Sequence, residues 1–186
     1  MIDEHGNEDG HEDDVVPSPD TEGRSGGEAR VWGALGQVCD PEIPMLTVVE
    51  LGLIAKVRMD GDAVIVEMTP SFAACPAISI LQTQIRRAVQ DAGFGKVRVD
   101  IVFDPPWSTD RITPAGLEKL QIFGLAPPKR MNGRSVETAD VEQANCPYCG
   151  SGDTLMESSF GPTLCRAIHY CRACRQSFEH FKPVTN

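Results

Sequence analysis

Thr69-Pro-Ser-Phe-Ala-Ala-Cys75-Pro76-Ala-Ile-Ser-Ile-Leu81 is the stretch on which the fold turns. Before it, apolar side chains alternate in Ile54–Met59 (Val57, Met59) and in Ala63–Met68 (Val64, Val66, Met68). That period of two marks strands with one buried face. Asp60-Gly61 between them is a strong hairpin signal, because a tight primed turn needs positive φ. After the quoted stretch, Ile78, Leu81, Ile85 and Val89 fall on one helical stripe, and Gly93 can close the helix. The stretch therefore joins a strand to a helix. Pro76 suits the first helical position, where its missing N–H is not needed. Cys75 is then expected at the N-cap, facing unpaired backbone N–H groups and the positive end of the helix dipole. Both favour the thiolate and would make Cys75 a better nucleophile or metal ligand than a free cysteine. Packing as a small buried apolar residue is the competing use.

Working outward, Val97, Val99, Ile101 and Phe103 alternate as a third strand. A helix is expected over 29–38, with Val31, Leu35 and Val38 on one face. It runs into Cys39-Asp40-Pro41-Glu42-Ile43-Pro44, where each proline turns its predecessor away from helix. The result is a fixed, extended turn presenting Asp40 and Glu42, with Cys39 packing at the end of the helix face. Thr47–Leu53 reads as a short helical turn closed by Gly52. The order helix, strand, strand, helix, strand predicts an α+β domain over 29–125, a small three-stranded sheet with helices packed on one face. Cys75 emerges at one end of that sheet, and a helix N-terminus after a strand end is a common place for a binding site. Asp104-Pro-Pro-Trp107 ends the third strand, and a short helix over 114–122 can cap the domain through Leu117 and Leu120.

Residues 126–145 carry Pro, Ser and charge without apolar period, and read as a linker. Residues 146–182 then open with Cys146-Pro-Tyr-Cys149-Gly150 and return with Cys171-Arg-Ala-Cys174. Two C-x-x-C pairs with 21 residues between them fit two metal knuckles, and a closed Cys₄ set suits structural zinc. The few large apolar residues here, among them Leu155, Phe160, Tyr170, Phe178 and Phe181, are too few for an ordinary core. Metal binding, of order ~10–16 kcal/mol, makes up the deficit. Cys165, His169 and His180 stay outside that first shell. His180 reads as packing, while Cys165 is either packing or a thiol at a partner surface.

The charge is uneven. Residues 1–28 hold ten acids and a single base, Arg24, whereas the other 158 residues are close to neutral, so the net −10 describes the tail rather than the body. The tail has almost no large apolar side chains and is expected to be disordered. No clustered Lys and Arg suggest nucleic acid, and no apolar run is long enough for a membrane span. The first thirty residues do not resemble a signal peptide. The expected location is the cytoplasm, where seven cysteines with two C-x-x-C pairs indicate metal rather than disulfides. No histidine falls in residues 12–168, and there is no phosphate loop or nucleophile elbow, which speaks against a hydrolase or transferase.

Taken together, Asp40-Pro-Glu-Ile-Pro, Leu51-Gly-Leu-Ile, Thr69-Pro-x-x-x-x-Cys75-Pro76 and Asp104-Pro-Pro-Trp107 resemble the small iron–sulfur-assembly domain of SufT-like and PaaD proteins. With the Cys₄ ribbon attached, the chain from about residue 29 to 182 resembles the PaaD family, accessory proteins of the phenylacetyl-CoA epoxidase of phenylacetate catabolism. The resemblance implies an accessory or maturation role rather than catalysis, with the oxygenase and reductase components of that epoxidase as partners. It places the family's motif positions at Asp40, Glu42 and Cys75, and the ribbon's zinc ligands at Cys146, Cys149, Cys171 and Cys174. Cys75 would help bind an iron–sulfur cluster, an iron or a client. A cluster usually takes four thiolates, so a homodimer or a client would supply the rest, or the cluster is not held here. Two other readings remain: a structural subunit bridging oxygenase components, and a rubredoxin-like electron carrier.

Overall fold

The turn at Gly61 sets the first sheet. Its φ of +60° lets Asp60 pair with Ala63, and β1 (Ile54–Asp60) and β2 (Ala63–Met68) form an antiparallel hairpin. The computed structural model describes residues 26–73 and 75–185. α1 (Gly26–Leu35) precedes the hairpin, and α2 (Ile78–Asp91) crosses over to β3 (Lys96–Ile101), which lies parallel to β2. The strand order is β1-β2-β3.

One face of this sheet is the core. Val31, Trp32 and Leu35 of α1 and Leu81, Ile85 and Val89 of α2 cover Val57, Val64, Val66, Met68 and Val99. Each such side chain stabilises the fold by roughly 1.5–3 kcal/mol relative to exposure. Met59, expected to point inward with Val57, lies beside the hairpin turn and is 41% exposed. The opposite face carries the ion pairs Arg58–Glu67 (3.1 Å) and Arg98–Asp100 (2.9 Å). Ile65 lies between Arg58 and Arg98 in register and is buried there, as the aliphatic stems of arginines allow.

Beyond β3, Trp107 is buried and its Nε1–H donates to the Leu51 carbonyl at 2.9 Å. That bond ties the 47–53 turn to the following segment. Gly52 has φ +64°, and a Cβ there would fall 2.7 Å from Cβ of Arg111, so both conformation and space require glycine. α3 (Pro114–Phe123) is capped by Thr113, whose Oγ1 accepts from the Gly116 N–H, and ends at left-handed Gly124. Its Leu120 is buried and Leu117 packs against the core, as expected.

The second sheet has four strands: β4 (Leu125–Ala126), then, after α4 (Thr138–Glu142), β5 (Thr154–Ser158), β6 (Arg166–Cys171) and β7 (Ser177–Phe181). Their order is β4-β7-β6-β5, with β4 parallel to β7 and the other pairs antiparallel. The fold is α+β, a three-stranded sheet with helices followed by a cysteine-bearing ribbon.

Two expectations need correction. Residues 26–28, assigned to the acidic tail, form the first turn of α1, where Glu28 suits the positive end of the dipole; the rest of that tail lies outside the described residues. The segment 126–145, expected as a linker, is built into the fold. Ala126 pairs with β7, and Met131, Asp140 and Ala144 are buried. Polar bonds order it where apolar period is missing. The Asp110 carboxylate accepts from Met131 N–H (2.7 Å) and Gly133 N–H (3.2 Å), and Arg134 grips Asp140 bidentately at 2.6 and 2.7 Å. The ribbon also shares the first domain's core. Phe181 joins the first domain's core beside Trp107, ring centroids 6.3 Å apart.

Candidate functional site

The candidate metal centre is built from two knuckles. In each, the first cysteine's N–H reaches a carbonyl five residues on (Cys146 to Ser151, Cys171 to Gln176). Its own carbonyl accepts from the residue four on, Gly150 or Arg175. Those two residues have φ of +74° and +61°. The turns bring the sulfurs of Cys146, Cys149, Cys171 and Cys174 within 4.8 Å of one another. Cys146–Cys174 and Cys149–Cys171 are each 3.6 Å apart. A tetrahedral zinc with bonds of ~2.3 Å has sulfur–sulfur edges of about 3.8 Å, so the four residues fit the ion. The backbone N–H of Cys174 holds the Cys171 thiol down to about 7, while burial and its neighbouring thiols push Cys174 up to about 12. A cation would remove that conflict, since coordinating thiols ionise outright.

Cys75 lies elsewhere, at the junction of the two sheets. The first helical residues after it are turn-like, and α2 begins at Ile78 with Ala77 as its N-cap. Cys75 therefore sits two residues before the N-cap rather than on it. Its thiol is pushed up, not down: burial dominates, and the charges of Glu42, Asp40 and Cys165 add to it against the Ala77 N–H. The expectation of a stabilised thiolate is overturned for the protein without a cation, because Cys75 is half-buried among acidic neighbours.

Asp40 and Glu42 divide their duties. Oδ1 of Asp40 accepts from the N–H groups of Glu42 (2.8 Å) and Ile43 (3.1 Å), which fixes the turn. Glu42, with Cys75, lines a pocket of about 250 Å³ whose other wall is Pro162–Cys165. Across that seam the Arg166 guanidinium donates to the Glu42 carbonyl (3.1 Å) and to the Glu179 carboxylate (2.7 Å). Residues 124 positions apart are thereby locked together. The sequence reading brought Asp40, Glu42 and Cys75 into view but left Cys165 unassigned and did not single out Arg166. No local pattern signals a contact between elements so far apart in the chain.

His169 and His180 fill the ribbon core. Both are fully buried, with ring centroids 5.1 Å apart, and His169 stacks on Phe178. Burial lowers both, His180 to about 4, so they are neutral packing groups at physiological pH.

The comparisons follow this architecture. Residues 28–104 match the family model described as iron-sulfur cluster assembly protein, and residues 131–182 match the PaaD zinc beta ribbon domain. A protein of Escherichia coli (strain K12) named as one of the subunits of 1,2-phenylacetyl-CoA epoxidase is 38% identical over 83% of this chain and 92% of its own length. The Fe-S protein maturation auxiliary factor YitW of Bacillus subtilis (strain 168) is 36% identical over 45% of this chain and 82% of its own. A crystal structure of a DUF59 domain from Bacillus anthracis is 25% identical, with a TM-score of 0.48, covering 52% of this chain and 92% of that one. With both domain models matched in order, and with such identity across nearly the whole E. coli protein, the chain belongs to the PaaD family, an iron–sulfur-assembly domain carrying a zinc-ribbon domain.

Proposed function

We propose that this protein is an accessory maturation factor that assists insertion of an iron–sulfur cluster, or of iron, into a multicomponent phenylacetyl-CoA ring epoxidase. The observation that carries the reading is the half-open pocket that presents Cys75 beside Glu42, in a chain related to maturation factors and to an epoxidase component. The cluster or iron is cargo here and passes to a client. The chain itself is non-catalytic in this scheme, and its partners are the oxygenase and reductase components. Cys146, Cys149, Cys171 and Cys174 hold a structural zinc that keeps the ribbon folded and the pocket's second wall in place. None of the seven cysteines is in a disulfide, which suits a reducing, cytoplasmic setting.

Cys75→Ala tests this. It removes a small, half-buried group, so the protein should fold and keep its ribbon metal. Co-expressed epoxidase should nevertheless lose most of its cluster content and activity. Full cluster content in the variant, with the protein co-purifying stably with the oxygenase, would favour a bridging role instead. The E. coli relative's name as an epoxidase component is the observation behind that second reading.

A further inference from the structure

The two sheets meet at a pocket that neither would form alone. One wall supplies Cys75 and Glu42, and the ribbon supplies Cys165 from the residues leading into β6. We propose that this junction is a second cation site, in which Cys75, Cys165 and Glu42 take one divalent first-row transition-metal ion, ferrous iron in the proposed role. The inference rests on the maturation reading only for what the ion is used for, not for whether it binds.

Several observations converge on it. Both thiols lie within electrostatic reach of Glu42, and Cys75 also within reach of Cys165. Two sulfurs and a carboxylate oxygen form a donor set for borderline metals such as iron or zinc, not for magnesium or calcium. Three protein ligands leave a coordination position open to water or to a client's side chain, which is the arrangement of a site that exchanges rather than stores. Positioning is already in place. Arg166, adjacent to Cys165, donates to the Glu42 carbonyl at 3.1 Å. The backbone carbonyl of Cys165 accepts from Lys182 N–H at 2.9 Å. Among the described residues, the ribbon set is the group of three or more donors gathered within 4.8 Å. The junction donors line one pocket but stand farther apart than the ribbon's four, so a cation would have to draw them together. A closed Cys₄ set retains its ion; an open Cys₂Glu set can pass one on. Cys165 finds its use here, as a ligand contributed by the ribbon to the assembly domain.

The experiment titrates full-length, zinc-loaded, reduced protein anaerobically with Co²⁺, following thiolate-to-cobalt charge transfer while zinc retention is measured. One further equivalent should bind, with the intensity of two thiolates and no loss of zinc, and Fe²⁺, the weaker binder of the two, should compete for it when in excess. Cys75→Ser and Cys165→Ser should each remove about half of the intensity and weaken binding by about tenfold or more. Glu42→Gln should weaken binding with the band intact. Absence of a further equivalent, or a Cys165→Ser protein that binds like the parent, overturns the site. Should Cys165→Ser lose its zinc, the intensity in the unaltered protein still decides between two thiolates and one. The two readings fail separately. A bound second ion with normal epoxidase maturation in Cys75→Ala sinks the maturation reading and leaves the site. No second ion, with maturation lost in Cys75→Ala and intact in Cys165→Ser, sinks the site and leaves the reading.

Discussion

At Asp40 one carboxylate oxygen serves the backbone of its own turn. Its Oδ1 is engaged by the N–H groups of Glu42 and Ile43. This separates it from Glu42, which lines the pocket with Cys75. Amide and carboxylate oxygens accept such bonds alike, so Asp40→Asn should keep the turn, the fold and the maturation activity. Asp40→Ala leaves two N–H groups without their acceptor and should cost about 1–3 kcal/mol. Thermal denaturation and epoxidase cluster content, measured on both variants, check this. Loss of cluster content in Asp40→Asn with unchanged stability would show that the charge itself is required. The spacing of Asp40, Glu42 and Cys75 was legible in the sequence, but their division of labour was not. Which oxygen bonds which N–H depends on how the turn closes, and the raised Cys75 thiol depends on burial and on neighbours from two distant segments, Asp40 with Glu42 and Cys165.

At the scale of elements, what could be read depended on the kind of order involved. The hairpin at Gly61, the stripe of α2 and the twin knuckles all leave periodic or spaced signatures, and they stand where the sequence puts them. Segment 126–145 is held by single polar contacts that have no period, which is why its composition reads as a linker. Asp110 is the centre of that order. Its carboxylate takes the N–H groups of Met131 and Gly133, and its carbonyl accepts from Arg130. Asp110→Ala should therefore lower stability by about 1–3 kcal/mol and release the chain around residue 131. Trypsin should then cut after Arg130 or Arg134 faster than in the parent protein, with the ribbon metal still bound. Unchanged cleavage would mean that the burial of Met131, not Asp110, fixes the segment.

At the scale of the molecule, the ribbon metal and the first domain's core are coupled through β7. Phe181 packs with Trp107 in the larger core cluster, and the Val184 carbonyl accepts from Thr109 N–H at 2.9 Å. The ribbon has little apolar core of its own: Ala126, Ala144, Cys146, Cys171 and Phe178 make up its buried cluster. A cation held by the four cysteines would therefore supply much of its folding energy, as in small metal-dependent modules. Withdrawing the metal should loosen β6 and β7 and uncover Trp107, which is 1% exposed in the intact protein. A Trp32→Phe protein isolates the Trp107 signal. Addition of a strong chelator should shift its emission to the red as zinc is released, and restoring zinc should reverse the shift. The first sheet keeps its hairpin and both helices, so far-ultraviolet helical signal should change little over the same titration. Release of zinc with unmoved Trp107 emission would show that β7 stays docked without the ion and that the junction pocket survives metal loss. The coupling runs in the other direction as well. A Phe181→Ala change, which empties the contact with Trp107 without touching a cysteine, should make the ribbon zinc easier to chelate by lowering the stability of the strand that follows Cys174.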